Sequence, residues 1–229
     1  MMKLIMPTLC IIFCLISNSI VAQNYPYMQD VNGSTLRIGQ YESINGSPYL
    51  YDEWERAIIK FADGEIFQVE KLKYDQISNQ LIFSNKDGIA MAFIKPVVQF
   101  EFMSDSDDSK NNRKFKNGYP VILGGTEASY YEVLAEGKIT LLKRSYKAIR
   151  EEKSYNSATI NKNIIENTNY FVYNTTDNKI MRFKKDSKGI MAILNNSKEA
   201  ESYLKENKLD IKKDSDLIKL ITYYNNHLQ

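Results

Sequence analysis

From Leu36 to Lys184 the apolar and polar positions alternate in short runs separated by turn residues. Successive side chains of an extended strand point to opposite faces, so a period of two marks a strand with one buried side. Ile89, Met91 and Phe93 fall on one face by this rule. In VVQFEF, Val98, Phe100 and Phe102 share one face while Gln99 and Glu101 share the other. The breaks between runs carry turn chemistry. Asn45-Gly46-Ser47-Pro48, Ala62-Asp63-Gly64, Ser78-Asn79, Asn85-Lys86-Asp87-Gly88 and Glu136-Gly137-Lys138 each close a hairpin or bend. Strands are therefore expected over 54–61, 65–74, 80–84, 89–93, 96–102, 115–119, 130–135, 139–146, 170–173 and 179–184, in an antiparallel sheet with one wet side.

After residue 185 the period lengthens. Asp186 or Ser187 caps a helix bearing Ile190, Ile193 and Leu194, and Asn196 or Ser197 caps KEAESYLKEN. Asp214 caps a last one with Leu217, Ile218, Leu220, Ile221 and Tyr224 on one side. The expected class is mainly β (α+β): an antiparallel β-meander, either a curved sheet or a half-barrel, followed by two or three short C-terminal helices. Ile149–Thr168, polar and rich in Asn, Lys and Glu, is expected as an extended or mobile loop. Tyr74-Asp75 with Lys86-Asp87-Gly88-Ile89 is echoed by Tyr173-Asn174 with Lys185-Asp186 and Gly189-Ile190. The gaps differ, and hairpin chemistry alone accounts for the echo rather than a repeat architecture.

The first 22 residues change the picture of where the chain works. Lys3 precedes the apolar run Leu4–Ile16, and Ser19-Ile20-Val21-Ala22 ends in a small residue before Gln23. That is the layout of a cleaved export signal, with a run shorter than the roughly 20 apolar residues of a membrane span. The division expected is 1–22 signal peptide, 23–185 β-rich domain and 186–229 helical segment packed on the sheet. Cys10 and Cys14 leave with the signal, so about 207 remaining residues rest on a hydrophobic core without disulfides.

Charge is unevenly distributed. Residues 23–108 hold 7 Lys/Arg against 14 Asp/Glu, and residues 109–229 hold 22 against 14. The total of +2 gives no pull toward nucleic acid.

Candidate chemistry narrows quickly. The one histidine, His227, lies near the end of the last helix, where a general base is poorly held. With no cysteine left once the signal is removed, no catalytic, cofactor or metal residues are assigned. Asp105-Ser106-Asp107-Asp108 lacks the Gly and the closing Glu of a calcium loop, and Gly124-Gly125-Thr126 is no phosphate loop. Asp52, Glu53 and Glu55 beside Trp54 suit a sugar-cleaving carboxylate pair, although neighbours on a strand face opposite ways. Among 16 tyrosines, Tyr49 and Tyr51 lie near turn residues, and with Trp54 they are the expected ligand or partner surface.

GSPYLYDEW, LKYDQISNQLIF with VVQFEF, YYEVLAEGKITLLKR and YLKENKL with DLIKLITYYN resemble a group of small exported β-rich proteins of Bacteroidetes-type bacteria. The likeness spans most of the mature chain. It implies kinship and a periplasmic, cell-surface or secreted location, and no catalytic residue. The expected function is a soluble, non-enzymatic envelope module, binding or structural, that meets a protein or glycan, not nucleic acid, and does not span the membrane once the signal is removed. The alternatives are a carboxylate-dependent glycan hydrolase and a carrier of an apolar ligand.

Overall fold

The computed structural model describes residues 33–35, 39, 41–103, 112–153 and 160–227. The signal segment and the Asp105–Asp108 loop lie outside the described residues. Among the described residues, eleven antiparallel strands form one sheet. They are β1 (Gly33–Thr35), β2 (Glu55–Phe61), β3 (Ile66–Asp75), β4 (Gln80–Ser84), β5 (Ala90–Phe93), β6 (Val97–Phe102), β7 (Arg113–Lys116), β8 (Tyr131–Ala135), β9 (Ile139–Lys153), β10 (Ile160–Asn174) and β11 (Lys179–Phe183). Their order is β1-β5-β4-β3-β2-β6-β7-β8-β9-β10-β11. Strand β2 is the pivot: hairpins run from it through β3 to β5 on one side, and from β6 to β11 on the other. The sheet is open and carries three helices after its last strand: α1 (Ser187–Ile193), α2 (Lys198–Glu206) and α3 (Asp214–His227).

Alternation places the core. Ala57, Ile59 and Phe61 of β2, Phe100 and Phe102 of β6 and Phe115 of β7 are all buried in one cluster. A flat sheet would hold β3 and β7, three strand steps apart, at about 14 Å. Yet the rings of Tyr74 on β3 and Phe115 on β7 are centred 5.9 Å apart, so the sheet curls strongly around this cluster. The interior of the curl is filled by rings: Phe100 stacks on Phe115 at 4.7 Å and meets Tyr130 edge-on at 4.9 Å.

Residues 45–50 stitch the curl. Asn45 pairs with β10, its N–H donating to Lys162 O at 3.0 Å and its carbonyl accepting from Ile164 N at 2.8 Å. The segment then crosses β9, where Lys147 Nζ donates to Ser47 O at 3.0 Å. It ends on β3, where Leu50 N donates to Tyr74 O at 2.9 Å. Lys147 N donates directly to Gln76 O at 3.0 Å, joining β9 to the β3–β4 turn.

The second half of the sheet is covered on both sides. Leu141 and Leu142, adjacent on β9, are both fully buried. Leu141 packs with Val172, Phe183 and the helices through Ile190, Leu217 and Leu220. Leu142 packs with Tyr131, Phe171 and Ile180 beneath Tyr119 and Ile122 of the β7–β8 connection. The expected single wet face therefore fails here. The β7–β8 connection, which carries the apolar run Tyr119–Leu123, folds back as a lid through Tyr119 and Ile122.

Three further expectations are corrected. The strand expected over 115–119 is Arg113–Lys116. Val98 is only half-buried and Val97 enters the core, because a bulge between Lys60 and Phe61 pairs Phe61 with Val97 rather than Val98. The expected loop over 149–168 is strand on both sides of residues 154–159: β9 and β10 pair continuously from Asn174↔Ile139 to Ile160↔Lys153. The outer half of that ribbon is exposed on β9. It buries no face, so it has no period to display.

Helix starts follow their caps. Asp186 Oδ1 accepts from Gly189 N at 2.7 Å, and Ser197 Oγ accepts from Ala200 N at 3.2 Å. Asp214 opens α3, but its carboxylate is taken by groups on the sheet, described next.

Candidate functional site

Tyr49 lies in the stitch, Tyr51 and Trp54 lie on the irregular segment between it and β2, and the structure separates them. Tyr49 forms an isolated antiparallel bridge with Asp75 at the end of β3. Lys73, two residues earlier on β3, carries its Nζ 4.7 Å from the Tyr49 ring centre and 5.1 Å from that of Trp54. Both distances are within cation–π range. The same ammonium donates to the Asp52 carbonyl. Asp52 and Glu53 are exposed beside it, and Tyr49 and Trp54 are half-buried. At this rim two rings thus share one ammonium, which also holds the main chain of the exposed Asp52-Glu53 stretch.

Tyr51 turns the other way. Its ring meets Phe102 edge-on at 5.2 Å, and its hydroxyl accepts from Arg113 Nη1 at 3.0 Å. Arg113 in turn forks onto Glu132, with Nε 2.6 Å from Oε1 and Nη2 2.9 Å from Oε2. Glu132 is only 8% exposed, so this pair holds a carboxylate inside the fold. Tyr51 is thereby a wall of the core rather than part of the rim.

Behind the rim, Asp75 is 1% exposed and fully engaged. Its Oδ1 accepts from Ile77 N at 2.8 Å and Ser78 N at 3.1 Å, and its Oδ2 from Tyr41 OH at 3.0 Å. Burial, with the nearby Asp75 charge, pushes the Tyr41 phenol up to about 12 and also raises Tyr49.

A polar strip crosses the sheet from Arg113 toward α3. Phe115, Glu132, Lys143, Tyr170 and Phe183 lie opposite one another on successive strands. At its far end Asp214 accepts from Lys143 Nζ at 2.9 Å, Tyr170 OH at 2.8 Å and Lys185 Nζ. Burial alone would raise the Asp214 carboxyl. The hydrogen bonds from Lys185, Lys143 and Tyr170 prevail and hold it at about 2. Such a group carries no proton to give near neutrality, so it ties α3 to the sheet instead of serving as a general acid.

The carboxylates singled out from the sequence are not buried together. Asp52 and Glu53 stand on the exposed rim, and Glu55 is half-buried on β2 opposite Leu72. Among the described residues, no group of three or more His, Cys, Asp or Glu side chains is placed to hold a metal ion. His227 is exposed and stacks on Tyr223 at 4.7 Å. No described helix is long and apolar enough to cross a membrane.

Lys73, Arg113, Glu132 and Lys143 were not singled out by the sequence, and Asp214 only as a helix cap. Arg113 and Glu132 are 19 positions apart and Lys143 and Asp214 are 71 apart, and no local pattern encodes such pairs. Lys73 alone left a trace, as a cation two residues from the Asp75 turn. No protein-family model, curated protein or solved structure matches this chain.

Proposed function

We propose that this chain is an exported binding module of the cell envelope, and that the rim of Tyr49, Trp54 and Lys73 meets a glycan. One observation carries the reading: the two aromatic rings converge on one ammonium beside the exposed Asp52 and Glu53. Sugars bind where ring faces take their C–H surface and flanking charged groups take their hydroxyls. A hydrolase needs a protonated carboxyl facing a second carboxylate. Of the carboxylates that reading names, Asp52 and Glu53 are exposed and Glu55 is half-buried on β2, which favours the binding reading. The carrier reading has little room, since rings occupy the interior of the curl. The leader-like residues 1–22 and the resemblance to small exported proteins support the envelope location.

The test is a glycan array with the purified protein and its Trp54→Ala and Lys73→Met variants. Retention of a defined glycan class that falls at least about tenfold in both variants is the expected result. Binding unaltered by both substitutions would move the site elsewhere. A protein captured through the same residues, with no glycan retained, would replace the ligand class.

A further inference from the structure

The outer half of the β9–β10 ribbon has an open edge whose chemistry matches itself. Lys147 N–H points away from β10, because it reaches Gln76 O at 3.0 Å. Alternate residues of a strand present their backbone groups to the same side. Ile149, Glu151 and Lys153 therefore present N–H and C=O groups on that side too. Beyond Lys147, no described strand pairs with this edge. Residues 149–153 are all exposed, and Ile149 leaves 41% of its surface in contact with solvent. Unpaired edges of this kind recruit another strand unless charge prevents it.

We propose that a second copy of the chain fills this edge, β9 pairing antiparallel with β9 of its partner about Glu151. The backbone restricts the register. Only residues that present their groups outward can exchange hydrogen bonds, which leaves pairings between 149, 151 and 153. Centring on Arg150 would oppose two arginines. Centring on Ile149 would extend the pairing to Ser145–Lys147, where the β3–β4 turn already sits. Centring on Glu151 places Ile149 opposite Lys153 and Arg150 opposite Glu152, each twice by the two-fold symmetry. Among the described residues, Arg150 and Glu152 stand opposite Asn163 and Asn161 of their own ribbon, so both charges are available. The two Glu151 side chains that meet at the axis are each held by Lys162 of their own ribbon at 2.8 Å. A five-residue contact is far smaller than the roughly 1,000 Å² of a stable interface, so the dimer is weak and reversible.

Sedimentation equilibrium of the purified protein over a wide concentration range tests this. The expected result is a monomer–dimer equilibrium weakened about tenfold by Arg150→Glu or Glu152→Arg alone. It should return toward the original strength in the Arg150→Glu/Glu152→Arg double variant, which re-creates both ion pairs across the axis. Ile149→Pro removes an outward N–H that β10 does not use, and it should abolish the dimer while leaving circular dichroism unchanged. A chain that stays monomeric at every concentration overturns the proposal. So does a dimer indifferent to these substitutions, or one in which the double variant is as weak as the singles.

Discussion

The Tyr74 hydroxyl donates to Asn79 Oδ1 at 2.8 Å across the β3–β4 turn, and this five-residue reach recurs at the β10–β11 turn, where Tyr173 donates to Asn178 at 2.9 Å. Both asparagines adopt the left-handed conformation, with φ of 58° and 51°, which Asn tolerates better than most residues. The faint echo in the sequence is thus a shared turn chemistry. The two turns differ in what surrounds them. Asn79 also accepts from Tyr130 N at 3.2 Å and donates to Ala128 O at 2.8 Å, so it pins the lid to the curl, whereas the Tyr173–Asn178 contact is exposed.

Asn79→Ala should therefore destabilise by roughly 2–3 kcal/mol and Asn178→Ala by under about 1 kcal/mol, because only the first strands the buried hydroxyl of Tyr74. Asn79→Gly keeps the backbone conformation and should recover only the strain part of the loss. Urea unfolding of the three variants checks the order, and equal losses at the two turns would contradict it.

Arg113→Met leaves the Glu132 carboxylate inside the fold without its fork, at a cost of roughly 2–4 kcal/mol. Removing both charges in Arg113→Met/Glu132→Met should recover much of that loss, since the penalty is an unpaired charge and not a missing attraction. Arg113→Lys should rescue poorly, because one ammonium cannot reach Glu132 twice and Tyr51 as well. A double-mutant cycle on unfolding free energy measures the coupling.

Acid should loosen α3 through Asp214. Its carboxyl is held at about 2 in the folded chain, below the ordinary 3.8. A depressed folded value stabilises above the unfolded value and is lost as pH falls through the folded one. The stability advantage of the wild type over Asp214→Asn should be constant near neutrality, shrink from about pH 4 downward and be largely gone near pH 2. Unfolding curves of both proteins across that range check it, and a gap that stays constant would remove Asp214 from the acid response.

Gly189→Ala should destabilise, against the usual gain of about 1 kcal/mol for that change inside a helix. A Cβ on Gly189 would lie 2.2 Å from the Lys184 carbonyl and 3.2 Å from the capping Asp186 carboxylate, so the first turn of α1 would have to shift off β11. A lower midpoint in thermal unfolding is the expected outcome, and a higher one would mean that the first turn is free to move.

Strand β2 was legible because burial writes a period of two into its residues, whereas β4 buries Leu81, Ile82 and Phe83 in a row and carries no such period. The helix caps at Asp186 and Ser197 were legible because capping is local. The outer ribbon of β9 and β10 was not. Its residues contact water on β9 and pair through backbone groups that every residue carries, so sequence identity leaves little mark. Of the expected surface, Tyr49 and Trp54 lie together and Tyr51 does not, since a six-residue stretch says nothing about which side Arg113 and Phe102 will approach from.

The similar strings Gly88-Ile89-Ala90-Met91 and Gly189-Ile190-Met191-Ala192 show where the division falls. The sequence by itself determined that each follows a hairpin with an Asn turn, that Asp186 has the spacing to cap a helix and that Asn85–Gly88 has the residues of a turn. Only the tertiary structure decided the rest. Ala90 and Met91 enter β5 because Ser84 and Phe83 of β4 stand open beside them. Ile190 turns into α1, where it is buried among Leu141, Phe183 and Leu217. Local residues limit which backbone conformations are cheap, and the partner surface that removes the side chain from water selects among them.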